Sequence, residues 1–500
     1  MSVSPDIPAR IVVLGGGSAG WMSACLLAQA WPQTEITVVE SSEIGIIGVG
    51  EGSTPRLKHF FDRLKIAEHE WMPACQATYK LGIRFVDWSR RAGFASYFHP
   101  FPSQVDEHSA PAFFYHCHAR RHGADLPAHP DRYFLNAYLA THRRSPHPAH
   151  HFPFHVGYGY HFDAYLLGAY LRQHAATRGV RHVDARIEAV LRHADGSIRA
   201  LRSADGLELA AEMFVDCSGF RGLIHQQSLG ERFISFADNL YNDAAVVMPT
   251  AVGPEGPDCE TRSTTLSSGW VFKIPLRHRN GNGYVYSSRH QDRDAAEAEL
   301  RAHLGVSDDV PARHLSMRVG RVEHTWAHNV LAVGLSQGFI EPLEATALHL
   351  VLETVERYIA TLEAPGELAT RRQAYNQAIA AYIEGIRDYI VCHYRANLRL
   401  DTPYWQEAGA NENLSPGLRR LLEAWFHGED LGQTVRRLGM DAFYPSLSWH
   451  CLLGGYGVYP QQLQPAEPRI RRYDVAEIDD FIARCALNFD SHSAALAALG

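Results

Sequence analysis

An α/β protein built on a parallel sheet and followed by a mostly helical region is what this sequence predicts. Three observations lead there. Residues 10–40 pass through strand, glycine turn, helix and strand. The α/β texture returns over 159–225 and around 330–362, and from about Thr370 the pattern is largely helical.

The opening RIVVLGGGSAGWMSACLLAQAWPQTEITVVE predicts a strand over Ile11–Leu14, a helix to about Ala30, a break at Pro32 and a strand over Glu35–Glu40. Gly15, Gly17 and Gly20 form GxGxxG at the first joint, Ser18 and Ala19 open the helix, and Glu40 closes the second strand. Glycines let the backbone turn tightly and approach a pyrophosphate, the helix N-terminus faces its charge, and the carboxylate accepts from a ribose hydroxyl. Such a turn also occurs in plain βαβ units, but strand, helix, strand and acid together point to a dinucleotide.

GIIGVGEGSTPRLKHFFDRL follows, a second glycine-dense loop that includes Gly50 and Glu51. It reads as a further cofactor-facing loop, with a simple connector as the alternative. Ser53 and Thr54 then lead a helix with Leu57, Phe60, Phe61 and Leu64 on one face. TYKLGIRF, residues 78–85, alternates like a half-buried strand, with Lys80 on its polar side; the chain holds only four lysines. On residue type alone, a strand lysine is a snorkelling surface charge.

Residues 95–155 are rich in His, Pro and aromatics and show little periodicity. No HExxH or regular His/Cys spacing with an acid partner appears, so the stretch reads as aromatic-lined loops over a pocket and no metal site is expected. A helix is predicted over Asp163–Arg178, with strands at Ile187–Arg192, Ile198–Arg202 and Met213–Asp216; the last runs into DCSGFRGLI, where a cofactor's far half can pass close to the backbone. SSGWVFKIPLRHRNGNGYVYSSRH predicts a hairpin turning at 280–283. NVLAVGLSQGFIEPLEATALHLVLETVERYIATL predicts a strand over Val330–Val333, a glycine loop and a long helix with Pro342 in its first turn.

Composition narrows the classes. With 46% hydrophobic and 20% charged residues among 500, the chain is globular and long enough for more than one module. A formal charge of −8 argues against nucleic acid as partner. The N-terminus lacks a basic region before its short apolar run, no apolar stretch is long enough for a membrane span, and eight scattered cysteines form no CxxC pair. A reduced, cytoplasmic protein is expected.

Read in order, GGGSAGWMSA, GVGEGST, YKLGIRF, YHFDAYL, FVDCSGFRG, GWVFKIP and GLSQGFIEPLEAT resemble the flavin-dependent tryptophan halogenase family over nearly the whole chain. The resemblance implies a flavin-monooxygenase-like (glutathione-reductase-type) FAD module, discontinuous over 1–95, 155–225 and 315–365, and a mostly helical substrate module over 96–154, 226–314 and 366–500. It implies reduced FAD from a separate reductase, halide oxidised to hypohalous acid, and passage of that acid through a tunnel to a lysine beside an aromatic ring. Lys80 matches the lysine and Glu344 the nearby glutamate. Gly334, Leu335, Val351 and Ile187 join the cofactor set. Thr346 and Ala347 match the halide site, Trp270 and Phe272 the flavin-shielding pair, and His99, Pro100 and Phe101 the ring-sandwiching segment. Trp449 lies where ring-stacking tryptophans occur, with a core role equally open.

Two departures stand out. Phe272 replaces the second tryptophan of WxWxIP, keeping bulk but losing an indole N–H. In the EPLEST-G stretch, Ala345 removes a hydroxyl and Ala347 replaces glycine, which points to an altered halide preference, towards bromide. A single-component aromatic hydroxylase and a flavin-binding protein without turnover are the alternative readings, and the sequence leaves open whether the chain forms a homodimer.

Overall fold

The computed structural model describes residues 6–44, 50–460 and 473–500. Part of the second glycine loop, residues 45–49, lies outside them. The chain divides into two units: one of Met1–Gln76, Phe162–Ala237 and Met317–Glu384, the other of Ala77–His161, Asp238–Ser316 and Gly385–Gly500. The stretches 77–95, 155–161 and 315–316, expected in the cofactor module, therefore fall in the second unit, and 226–237 and 366–384 fall in the first.

The first unit is organised by a six-stranded sheet in the order Trp326–Ala327, Val330–Ala332, Met213–Asp216, β1 (Arg10–Leu14), β2 (Glu35–Glu40) and Arg181–Asp184. All neighbours are parallel except the Trp326–Ala327 edge. Helix α1 (Ser18–Ala30) joins β1 to β2 and is buried continuously from Gly20 to Ala28. It is apolar all round because it is covered by the sheet and by the helices Ala164–Ala176 and Ala347–Glu363. Two smaller three-stranded antiparallel sheets complete the unit.

The second unit pairs its helices with a seven-stranded sheet in the order Arg313–Ser316, Ala244–Thr250, Asn280–Tyr286, Gly269–Pro275, Thr261–Thr265, Gly82–Val86 and Ser96–Pro100. Only Thr261–Thr265 and Gly82–Val86 run parallel. Its helical part includes Asp106–Arg121, Leu135–Thr141 and the series from Pro403–Ala410 to His492–Ala497.

Four expectations need correcting. Residues 78–85 are not one half-buried strand: Thr78–Lys80 and Gly82–Val86 belong to different sheets, and Thr78, Lys80 and Gly82 are buried along with the apolar side. The break falls at Leu81, whose N–H donates to Cys259 O and whose carbonyl accepts from Phe101 N. The hairpin turns at Leu276–Arg279, not 280–283. Asn280 and Asn282 stay in the strand because their side chains donate to Ala251 O and Met248 O. Pro342 opens a short 3-10 turn, and the long helix begins only at Ala347, after Ala345 at φ +55°. The stretch expected to be loops over 95–155 carries the helix Asp106–Arg121, with Pro111 inside it.

Candidate active site

The turn from β1 into α1 is a close-packed corner. Gly15 sits at φ +116°, and a Cβ there would lie 2.2 Å from Cys217 O. At Gly20 a Cβ would lie 1.9 Å from Gly15 O. Gly17 caps α1 without a side-chain bond, and no acid occupies the first turn around Ser18 and Ala19. The first-turn amides and the positive end of the helix dipole are thus presented to an anion. Gly334, at φ +71°, brings a second loop with Leu335 to the same place: a Cβ on it would lie 2.9 Å from Ala19 Cβ and 4.0 Å from Val351. Glu40 Oε1 lies 2.9 Å from His182 Nε2, with its other oxygen turned towards Gly16. This corner fits a dinucleotide pyrophosphate and an adjacent ribose.

Other members of the expected cofactor set are placed less tellingly. Ile187 is buried in a cluster with Leu14 and Val39, which is a core position. Gly50 is buried at φ +99°. Glu51 is half-buried, and desolvation, with the charge of Asp163 second, pushes its carboxyl up to about 7.

Glu344 also belongs to the first unit, 6% exposed at the end of the Pro342–Glu344 turn. The left-handed conformation of Ala345 costs a residue with a Cβ on the order of 1 kcal/mol, a strain held at this corner by its surroundings. Thr346 is the cap of the following helix and makes no side-chain cap bond; Ala347 is its exposed first residue, and no acid lies in the first turn. Glu341, three residues before Glu344, is a second fully buried acid that the sequence reading did not single out.

Lys80 lies in the second unit and is 0% exposed. Its cross-strand partner is Gly159. Nζ sits 5.4 Å from the centroid of the Phe101 ring, within cation–π range. Two positions before Lys80, Thr78 Oγ1 donates to Pro275 O and so accepts from His161 Nδ1, which leaves His161 Nε2 to accept from Thr261 Oγ1. His161 is held well below the ordinary histidine range, first by burial and then by the charge of Lys80. The strand carrying the lysine is thus anchored by a neutral histidine.

The expected substrate residues come together in part. His99 packs edge-on to Tyr389 at 6.2 Å, and Trp449 packs edge-on to the same ring at 4.8 Å. Tyr389 also stacks on Tyr444 at 3.6 Å and 7°. Tyr389 and Tyr444 were not singled out from the sequence; a tyrosine in an aromatic-rich helix carries no signal until the fold pairs it. Pro100 ends its strand and Phe101 follows it beside Lys80.

Trp270 and Phe272 share one face of their strand, with ring centroids 6.2 Å apart. Phe272 lies opposite Gly283, where a Cβ would meet its ring at 2.3 Å. A Gly283→Ala enzyme is therefore expected to lose about 1–3 kcal/mol and to displace the Phe272 ring. Thermal unfolding together with a crystal structure of the variant checks this.

A cavity of about 600 Å³ in the first unit is lined by Glu231, His324, Trp326 and Arg372, among others, and by none of the expected site residues. Among the described residues, Glu231, Glu323 and His324 bring possible metal ligands within 4.8 Å, but Glu323 is engaged by Arg232 and His324 by Glu231.

By its first unit, the chain has the architecture of dinucleotide-binding α/β proteins. A family model described as tryptophan halogenase matches residues 10–471. The 7-chloro-L-tryptophan 6-halogenase KtzR of Kutzneria sp. (strain 744) is 37% identical over 475 residues, covering 89% of this chain and 90% of that protein. The tryptophan 6-halogenase SttH of Streptomyces toxytricini is 35% identical, with 84% of each chain covered. The solved structure of BrvH, a flavin-dependent halogenase from Brevundimonas sp. BAL3, superposes with a TM-score of 0.84 at 33% identity and 99% coverage of both chains. The chain belongs to the tryptophan halogenase family, and it is a flavin-dependent halogenase, an oxidoreductase that uses FADH2, O2 and halide.

Proposed function

We propose that this enzyme halogenates an electron-rich aromatic, an indole or tryptophan-like ring, at one position, and that Lys80 aims the oxidant. The observation that carries this reading is a fully buried ammonium 5.4 Å from an aromatic ring. The β1–α1 corner, with Gly15, Gly17, Ser18, Ala19 and Gly334, would hold reduced FAD, which with O2 would supply the oxidising equivalents for converting halide to hypohalous acid. Thr346 and Ala347, at the start of an acid-free first turn, present backbone N–H groups to the halide. Trp270 and Phe272 keep the organic substrate from the cofactor.

In the reacting step, the Lys80 ammonium donates to the oxygen of HOX, which makes the halogen more electrophilic. A ring carbon bonds the halogen as the O–X bond breaks, and the oxygen leaves as water with a proton from Lys80. Glu344 stabilises the cationic ring and takes its proton, so ArH and HOX become ArX and H2O. Reprotonation of Lys80 and loss of the proton from Glu344 reset both groups. His99, Pro100, Phe101 and Trp449 hold the ring so that one carbon meets the halogen.

The enzyme takes its FADH2 from a separate flavin reductase and works in the cytoplasm, in keeping with eight free thiols and, among the described residues, no helix long and apolar enough to cross a membrane. The substitutions at 345 and 347 shift its preference towards bromide. The test is turnover with FAD, a reductase, oxygen and either halide on indole and tryptophan, read by isotope pattern. Halogenated product supports the reading; oxygenated product without halide would mean a hydroxylase, and bound FAD with no product a protein without turnover.

A further inference from the structure

Lys80 stands at the end of a three-residue strand, next to a joint where the chain passes from one sheet to another. Such a joint needs an outside tie if the ammonium is to hold one position. The helix Leu135–Thr141 supplies a side chain at that place. Asn136 is 0% exposed, and its Nδ2 lies 2.6 Å from Phe101 O, 2.7 Å from Gly157 O and 3.3 Å from Leu81 O. An amide has two N–H groups, so the two short bonds take them, and Leu81 O shares one while also accepting from Phe101 N. Three carbonyls around one atom require a donor there, which fixes the side chain as an amide nitrogen.

Each of those carbonyls belongs to a segment that borders the ammonium. Leu81 follows Lys80 directly. Phe101 carries the ring beneath Nζ. Gly157 leads into the strand whose Gly159 pairs with Lys80. At Gly157, a Cβ would lie 2.3 Å from Pro102 O, so that segment is also pressed against the Phe101 loop.

We propose that Asn136 is a positioning residue whose amide clamps Leu81, Phe101 and Gly157 and thereby fixes the Lys80 ammonium relative to the aromatic ring it serves. The proposal rests on the reading of Lys80 above. Asn136 touches neither substrate nor oxidant in this scheme; it acts through the three backbones.

The experiment compares the full-length wild type with Asn136→Asp, which keeps the size but replaces both N–H groups with a carboxylate oxygen. Each enzyme is loaded with FAD, supplied with reductase, oxygen and bromide, and given tryptophan or indole. Two ratios are read: halogenated product per reduced FAD consumed, and the proportion of each ring isomer. A trap for free hypohalous acid measures the escaping oxidant. A misplacement near 1 Å predicts a fall in product per reduced FAD of about 10-fold or more, with more trapped oxidant, mixed isomers and unchanged FAD affinity. If Asn136→Asp does not accumulate folded, Asn136→Ser, which keeps one donor, is expected to show the same changes in smaller measure. Variants that lose only thermal stability, or that never fold, would overturn a positioning role. A wild type that makes no halogenated product would instead refute the reading of Lys80, so the two failures are distinguishable.

Discussion

Lys80→Ala is expected to lower halogenated product by about 10³-fold or more while the protein still binds FAD and still releases peroxide. The separation follows from where the groups lie. The dinucleotide corner belongs to the first unit, at Gly15, Gly20 and Gly334, whereas Lys80 belongs to the second. Truncating the lysine removes the donor that polarises the halogen and leaves the cofactor corner intact. The variant should also fold, since the pairing of this strand with Gly159 runs through backbone groups that the substitution leaves in place. Peroxide by a colorimetric assay and product by mass spectrometry read the two halves separately. Full-rate halogenation by Lys80→Ala would remove Lys80 from the mechanism.

The second large effect is acid lability. His161, His393, His450 and His492 are all buried in the second unit, 5% exposed or less. Burial is the leading cause that lowers each: His450 and His492 to about 4, His161 and His393 well below the ordinary range. A histidine lowered in the folded state takes up its proton only on unfolding, so its contribution is present above pH 6.5 and is lost as pH falls towards the folded value. In the first unit His349 is likewise lowered to about 4, mainly by burial; Asp106 and Glu51 act in the opposite sense, raised by burial to about 6 and about 7, and favour folding as pH falls. Five histidines outweigh two carboxyls. Stability is expected to fall by about 4 kcal/mol per pH unit near pH 5, with a net uptake of about three protons on unfolding. Urea unfolding at pH 7.5, 6 and 5 measures it; a flat profile would mean these rings are solvated or charged in the folded enzyme.

The elements best read from sequence are those in which local chemistry and fold agree. β1, α1 and β2 appear with nearly the predicted bounds because the glycine corner is fixed locally by φ and by contact distances under 3 Å. The amphipathic face Leu57, Phe60, Phe61 and Leu64 is buried as its spacing predicts. The misreadings are tertiary in origin. Asn and Gly at 280–283 look like a turn, but Gly283 is there to admit the Phe272 ring and Asn282 to reach Met248 O. The polar side of residues 78–85 looks solvent-facing, yet it is enclosed, and nothing in the alternation distinguishes the two cases. Lys80 itself was legible only through motifs spread along the chain. Asn136 and Tyr389 were not legible at all, because their significance lies in three carbonyls and two rings brought from distant segments.

The claim on which the mechanism stands is that the amine of Lys80 and the carboxylate of Glu344 serve one bound ring. A crystal structure of the enzyme with FAD and tryptophan or indole tests it most directly. The account predicts both groups facing the same ring carbon, with Glu344 within about 4 Å of its hydrogen and Lys80 set back by room for one HOX molecule, inside a chamber closed to bulk water. A ring bound out of reach of either group, or a Lys80 ammonium open to solvent in that complex, would contradict it.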